Sequence, residues 1–106
     1  MNMLKMMQKA KEIQAAIQEL EQKISSLEAV GKAGGGLVQI TLQGKGVLKE
    51  ITIDPSLLKP EEGQILEDLI LAAHNEAQAN LNSKTEEMAK MTQGSLSLPT
   101  DLKLPL

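Results

Sequence analysis

From Met3 to Leu27 the apolar residues fall at Met3, Met6, Ala10, Ile13, Ile17, Leu20, Ile24 and Leu27, in alternating steps of three and four. Steps of this kind average 3.5 residues, the spacing of a coiled-coil seam. One row is Met3, Ala10, Ile17 and Ile24; the other is Met6, Ile13, Leu20 and Leu27. The pattern predicts a long helix with a narrow apolar stripe, which needs a partner helix from this chain or from a second copy. Such a helix overshoots any small sheet it could pack on. Composition sharpens the point. The 106 residues include no Phe, Tyr or Trp, and the apolar material is Leu, Ile, Val, Ala and six Met. Aromatic side chains supply much of the burial in ordinary cores. Their absence points to an elongated, helix-rich body that completes its core by pairing with another copy.

Beyond the stripe, "GKAGGGLVQITLQGKGVLKEI" (31–51) contains six glycines. A phosphate-binding loop would need Gly, four residues, then Gly-Lys-Ser/Thr, yet Gln39 stands five before Gly44 and Gly46 takes the hydroxyl position. A dinucleotide fingerprint fails at Gln39 too. Both motifs also place their glycines between a strand and a following helix, whereas here a helix pattern precedes them. The glycines read as structural: Gly31 and the triple Gly34–Gly36 end the first helix. "LVQITLQ" (37–43) sets Val38, Ile40 and Leu42 against Gln39, Thr41 and Gln43, a half-buried strand. "VLKEITI" (47–53) sets Val47, Lys49, Ile51 and Ile53 against Leu48, Glu50 and Thr52, a second strand. The short Gly44-Lys45-Gly46 link makes them an antiparallel hairpin with Lys45 at its tip.

Asp54 before Pro55 reads as the cap of a short turn through Leu58. Pro60 with Glu61 and Glu62 opens a second long helix, expected to run to about Met91 and to stop at Gly94. The expected organisation is one domain over 1–93 and a proline- and leucine-containing tail over 94–106.

Several function classes fall away. Without cysteine there is no disulfide frame, thiol catalyst or thiolate metal site. No apolar stretch approaches a membrane span, and the chain reads as soluble and unprocessed. His74 is the single histidine, bordered by Ile70, Ala73 and Ala77, and reads as structural. Carboxylate neighbours such as Glu61-Glu62 and Glu67-Asp68 diverge on a helix. The expectation is a non-enzymatic protein with no cofactor, metal or small-molecule substrate. Net charge is −3, and every base is Lys. With no Arg to fork onto a guanine edge, sequence-specific readout is not expected.

At "GGGLVQITLQGKG", "ITIDPSLL", "LEDLILAAHNEA" and "LPTDLKLP", in order and over nearly the whole chain, the sequence resembles the YbaB/EbfC family of bacterial nucleoid-associated proteins. The resemblance implies an α+β fold: a long N-terminal helix, a small three-stranded antiparallel sheet and a long second helix, in a two-layer, tweezer-like homodimer. It implies a third strand at roughly Val30 to Gly35, duplex DNA binding with little sequence preference, and a cytoplasmic, nucleoid-associated location. The sequence departs from the family pattern after Asn75-Glu76-Ala77, where Gln78, Ala79 and Asn80 replace the usual basic residues, and at His74, where an aromatic is common.

Lys5 and Lys9 stand one turn apart at the start of the first helix with Lys11 beside them and no acid among residues 1–11. Lys5, Lys9, Lys11, Lys45 and Lys84 are the candidate DNA contacts, through phosphates. Ile13, Ile17, Leu20, Ile24, Leu66 and Leu69 are the candidate homodimer interface. The competing reading is a homodimeric helical adaptor with weak or no DNA binding, favoured by the net acidity and by Met3, Met6 and Met7.

Overall fold

The computed structural model describes residues 2–96. The first helix, α1, spans Met3–Ser25. It opens where the Asn2 side chain accepts from the Leu4 amide at 2.9 Å, one of the four amides a helix start leaves without a partner. It closes at serines: the Ser25 and Ser26 hydroxyls donate to the Gln22 and Lys23 carbonyls at 2.7 and 3.0 Å. Gly31, expected to end this helix, instead lies inside the first strand, because the serines have already satisfied the last carbonyls. That strand, β1, is Glu28–Ala33, two residues ahead of the span implied by the resemblance.

β1 pairs antiparallel with β2 (Val38–Gln43), and β2 with β3 (Val47–Ile53), in the order β1-β2-β3. Gly34, Gly35 and Gly36 turn β1 into β2 with φ of 65°, 68° and 96°, a region that L side chains resist. The hairpin tip Gly44-Lys45-Gly46 is tied down by the Gly44 amide donating to the Leu27 carbonyl at 2.9 Å. Alternation along β3 departs from strict period two. Leu42 pairs with Leu48 and Thr41 with Glu50, so Lys49 is an extra residue in a β-bulge. The bulge puts Leu48 on the face shared by Ile51 and Ile53, and Val47 on the other with Glu50 and Thr52.

After β3, Asp54 caps a single 3₁₀ turn, Pro55–Leu57, by accepting from the Ser56 amide at 2.9 Å. Pro60–Glu62 form a second 3₁₀ turn. The second helix, α2, then runs Gly63–Leu96. Gly94 does not stop it, since one helical glycine costs only about 1 kcal/mol against alanine. Of the expected tail, residues from 97 onward lie outside the described residues.

α2 lies across β1 and β2. Ala29, Val38, Ile40, Leu42, Leu57, Ala73, Ala77 and Leu81 form the core, with Leu66, Leu69 and Ile70 packed against it. Small residues set the spacing of the two layers. A Cβ at Gly31 would stand 2.1 Å from the Ala73 carbonyl oxygen and 2.3 Å from the Ala77 nitrogen. Strand backbone therefore rests directly on helix backbone.

β1 and α2 run antiparallel, for the Glu28 carbonyl meets Lys84 while that of Val30 meets Asn80. The last turn of α1, at Ile24, shares a cleft wall with Leu81 and Thr85 of α2. Upstream from there Leu20 is buried and Ile17, Ala16 and Ile13 are half-buried, matching half-buried Thr85, Met88 and Ala89 on α2. The later part of α1 thus lies along α2 beyond the sheet, and the start of α1 projects past this contact as an arm, with every side chain from Asn2 to Glu12 exposed. The long dimension of 71 Å exceeds the length of about 51 Å that a 34-residue helix provides.

Candidate nucleic-acid interface

The candidate lysines occupy three separate places. Lys5, Lys9 and Lys11 are exposed near the start of α1, whose first turn holds no acid. A helix start carries roughly half a positive charge from its aligned peptides, so the lysines and the dipole add. Lys45 is exposed at the hairpin tip. Both neighbours, Gly44 and Gly46, have positive φ, of 65° and 109°. Ser25 is the nearest residue to a Cβ built on Gly44, so the tip sits at the far end of α1 from Lys5. The rise of a helix puts Lys45 roughly 20–30 Å along the arm from the first group.

Lys84 is differently employed. Its ammonium donates to the Glu28 carbonyl at 2.6 Å, while the Asn80 amide donates to the Val30 carbonyl at 2.8 Å. These carbonyls belong to the outer side of an edge strand, where an open row of polar groups invites pairing with another chain. Lys49 is also engaged, with Nζ 2.9 Å from Glu28 Oε1 across the central strand. Lys5, Lys9, Lys11 and Lys45 make no ion pair or hydrogen bond among the described residues. Their ammonium groups are left to water and to whatever anion arrives.

Of the candidate interface residues, Leu20 and Ile24 are buried within this chain, 1% and 2% exposed, and so already serve the protomer. Leu66 and Leu69 are partly covered by its core, and Ile13 and Ile17 are half-buried on α1. A different apolar surface stands open: Leu48 and Ile51, 53% and 41% exposed, lie on the sheet face that α2 covers elsewhere. Periodicity alone pointed to the helix seam and passed over this face, because the bulge that aligns Leu48 with Ile51 breaks strand alternation. Nor could spacing reveal that Asn80 and Lys84, four apart on one helix face, meet alternate carbonyls of a strand about fifty residues earlier.

A cleft of ≈ 360 Å³ lies between Ile24, Gly44, Lys45, Leu81, Asn82, Thr85 and Glu86. Among the described residues no group of three His, Asp or Glu side chains converges to hold a metal ion. Nor is any helix among them long and apolar enough to cross a membrane.

The sequence profile of the YbaB/EbfC DNA-binding family matches residues 1–96. This chain belongs to that family. A nucleoid-associated protein of Bartonella tribocorum is 52% identical over 103 residues, covering 97% of this chain and 96% of that protein. Another, of Brucella anthropi, is 48% identical over 98% of this chain and 97% of its own length. The crystal structure of an uncharacterized Helicobacter pylori protein superposes with a TM-score of 0.73 at 23% identity, covering 89% of this chain and 99% of that one. At that identity the likeness speaks for the fold. The order of helix, three antiparallel strands and second helix is thus a YbaB/EbfC architecture.

Proposed function

We propose that this YbaB/EbfC family member is a non-enzymatic, nucleoid-associated protein that binds duplex DNA as a homodimer with little sequence preference. The observation that carries the reading is the acid-free group of Lys5, Lys9 and Lys11 at the positive end of a helix on a projecting arm. Lysine ammonium groups meet phosphates as point charges and carry no base code. Lys45 offers a further contact along the same arm, and Lys84, its ammonium held by a carbonyl, contributes least. The relatives' names support location at the bacterial nucleoid. Pairing of two copies is supported by the uncovered Leu48 and Ile51 face beside the open edge of β3, with Ile13, Ile17, Leu66 and Leu69 as further candidates. A pair of arms presents the lysine group twice.

Gel-shift titration of a random duplex tests this. Six arm lysines per dimer would give log K against log salt a slope of about −5, and replacing Lys5, Lys9 and Lys11 by Glu should abolish the shift. Absence of a shift at low salt would turn the function to the adaptor reading, for which exposed Met3, Met6, Met7 and Met91 are the supporting feature. Light scattering on a sizing column should report twice the chain mass, and Ile51→Lys should halve it while leaving helix content intact.

A further inference from the structure

The first turns of α1 carry two unlike sides. Met3 stands three and four residues before Met6 and Met7, and Leu4 three before Met7, so these four side chains adjoin on one side of the helix. Met3 is 75% exposed, Leu4 61%, and Met6 and Met7 55% each. Apolar side chains scattered singly are normal on a surface, but an adjoining group marks a contact. At about 100° of rotation per residue, Lys5 and Lys9 fall on the opposite side and Lys11 lies in line with Leu4. Residues 1–11 hold no acid, and Glu12, the first one, lies on the lysine side.

Charge chooses among the occupants of this surface. Duplex phosphates would meet the lysines and leave the methionines in water. A second copy of the same segment would bring six lysines together with no acid between them, and like charges oppose that contact. The face of an anionic bilayer suits both sides at once: acyl chains take the apolar group and headgroup phosphates take the ammonium groups. A helix with lysines on its polar side and low overall hydrophobicity lies in the plane of such an interface, and methionine adapts to irregular neighbours. The segment is already helical, as the opening of a 23-residue helix capped by Asn2, so docking requires no new helix nucleus. Because this end projects past the contact with α2, a flat surface can reach its apolar side.

We propose that the start of α1 is also a docking surface for anionic phospholipid membranes, with Met3, Leu4, Met6 and Met7 entering the acyl boundary and Lys5, Lys9 and Lys11 attracted by the headgroup phosphates. The lysines are shared with the proposed DNA contact, whereas the apolar side serves the membrane alone. The two readings therefore fail separately.

Flotation of the full chain at low ionic strength tests the proposal. Vesicles of phosphatidylglycerol and phosphatidylcholine in equal parts should carry the protein upward, and vesicles of phosphatidylcholine alone should bind it at least roughly tenfold more weakly. Changing Met3, Leu4, Met6 and Met7 together to Gln keeps every lysine and introduces only good helix formers. That variant should bind the anionic vesicles at least roughly tenfold more weakly, with helix content, mass on a sizing column and any DNA shift unchanged. In the unaltered chain, anionic vesicles should slow peroxide oxidation of Met3, Met6 and Met7 by at least about threefold. The proposal is overturned if the unaltered chain does not float with anionic vesicles, or binds both compositions equally. It is overturned equally if the Gln variant floats as readily, which would leave charge alone as the cause. A Gln variant of lower assembled mass would also overturn it, since the occupant would then be a second copy.

Discussion

Replacing Gly31 by Ala tests the contact on which the two layers are built. The added methyl carbon would stand 2.1 Å from the Ala73 carbonyl oxygen, 2.3 Å from the Ala77 nitrogen and 2.9 Å from the Ala77 Cα. All three are backbone atoms of α2 and have no rotamer to escape into. Ordinary contact begins near 3.4 Å, so β1 and α2 must separate by about 1 Å. A gap of that size forfeits a quarter to a half of each dispersion contact across it. The loss falls on Ala29, Ile40, Ala73, Ala77 and Leu81 together. Overpacking typically costs about 1–3 kcal/mol, and a clash with rigid backbone belongs near 3 kcal/mol. Loss of glycine entropy from the unfolded chain returns at most about 1 kcal/mol. The net is about 2 kcal/mol, and for a domain of this size that lowers Tm by roughly 8–16 °C. Thermal and urea unfolding followed at 222 nm, at one protein concentration because assembly shifts apparent stability, measures it. Gly35→Ala is the control: its φ is +68° and nothing lies within 4 Å, so it loses only the left-handed penalty of about 1–2 kcal/mol less the same entropy gain. If Gly31→Ala proves no worse than Gly35→Ala, strand backbone does not rest on α2, and something other than that contact sets the layer spacing.

Removing the amide of Asn80 (Asn80→Ala) or the ammonium of Lys84 (Lys84→Met) should each cost about 1 kcal/mol, and hydrogen exchange should locate the loosening in β1 and leave β3 amides unchanged. Asp54, whose carboxylate is held below its ordinary value first by the Ser56 amide and then by the Ser56 hydroxyl, should titrate by carboxyl ¹³C NMR below the roughly 3.9 of a free aspartate. Because the folded value is the lower one, the cap's contribution is present above the unfolded pKa and disappears as pH falls through the folded one; a midpoint at or above the ordinary value would mean that the cap contributes nothing. Lys5→Ala removes two phosphate contacts per dimer and should flatten the salt slope by about 2, while Lys84→Met should change it far less.

The helices and the hairpin were legible because each repeats a local rule: Met3 to Leu27 at coiled-coil spacing, Val38 to Leu42 at period two, Asp54-Pro55 as a turn start. The first strand was not. Its residues Glu28–Ala33 read as small and polar, since their inward positions are Ala29 and Gly31 and the bulk that covers them comes from α2. Alternation carries no signal where the buried side chain is a hydrogen atom. For the same reason Gly31 looked like a helix stop. The acid-free lysine group could be read directly from α1, but spacing could not separate Lys45, left without a partner at a tip, from Lys84, drawn to a carbonyl. That distinction depends on a strand and a helix that meet only when folded. Nor could the seam tell which of its members this chain would cover itself: Leu20 and Ile24 are buried within the chain, and Ile13 and Ile17 only partly.

The two borders of the sheet are unequal. Asn80 and Lys84 cap two outer carbonyls of β1, those of Val30 and Glu28, while the outer side of β3 makes no such bond among the described residues. A ribbon with one closed border and one open border can be extended from one side only. Two copies joined at their open borders would leave only closed borders facing outward. In the proposed dimer growth would stop at two, so that a sheet with an exposed apolar strand would assemble without becoming the seed of a fibre.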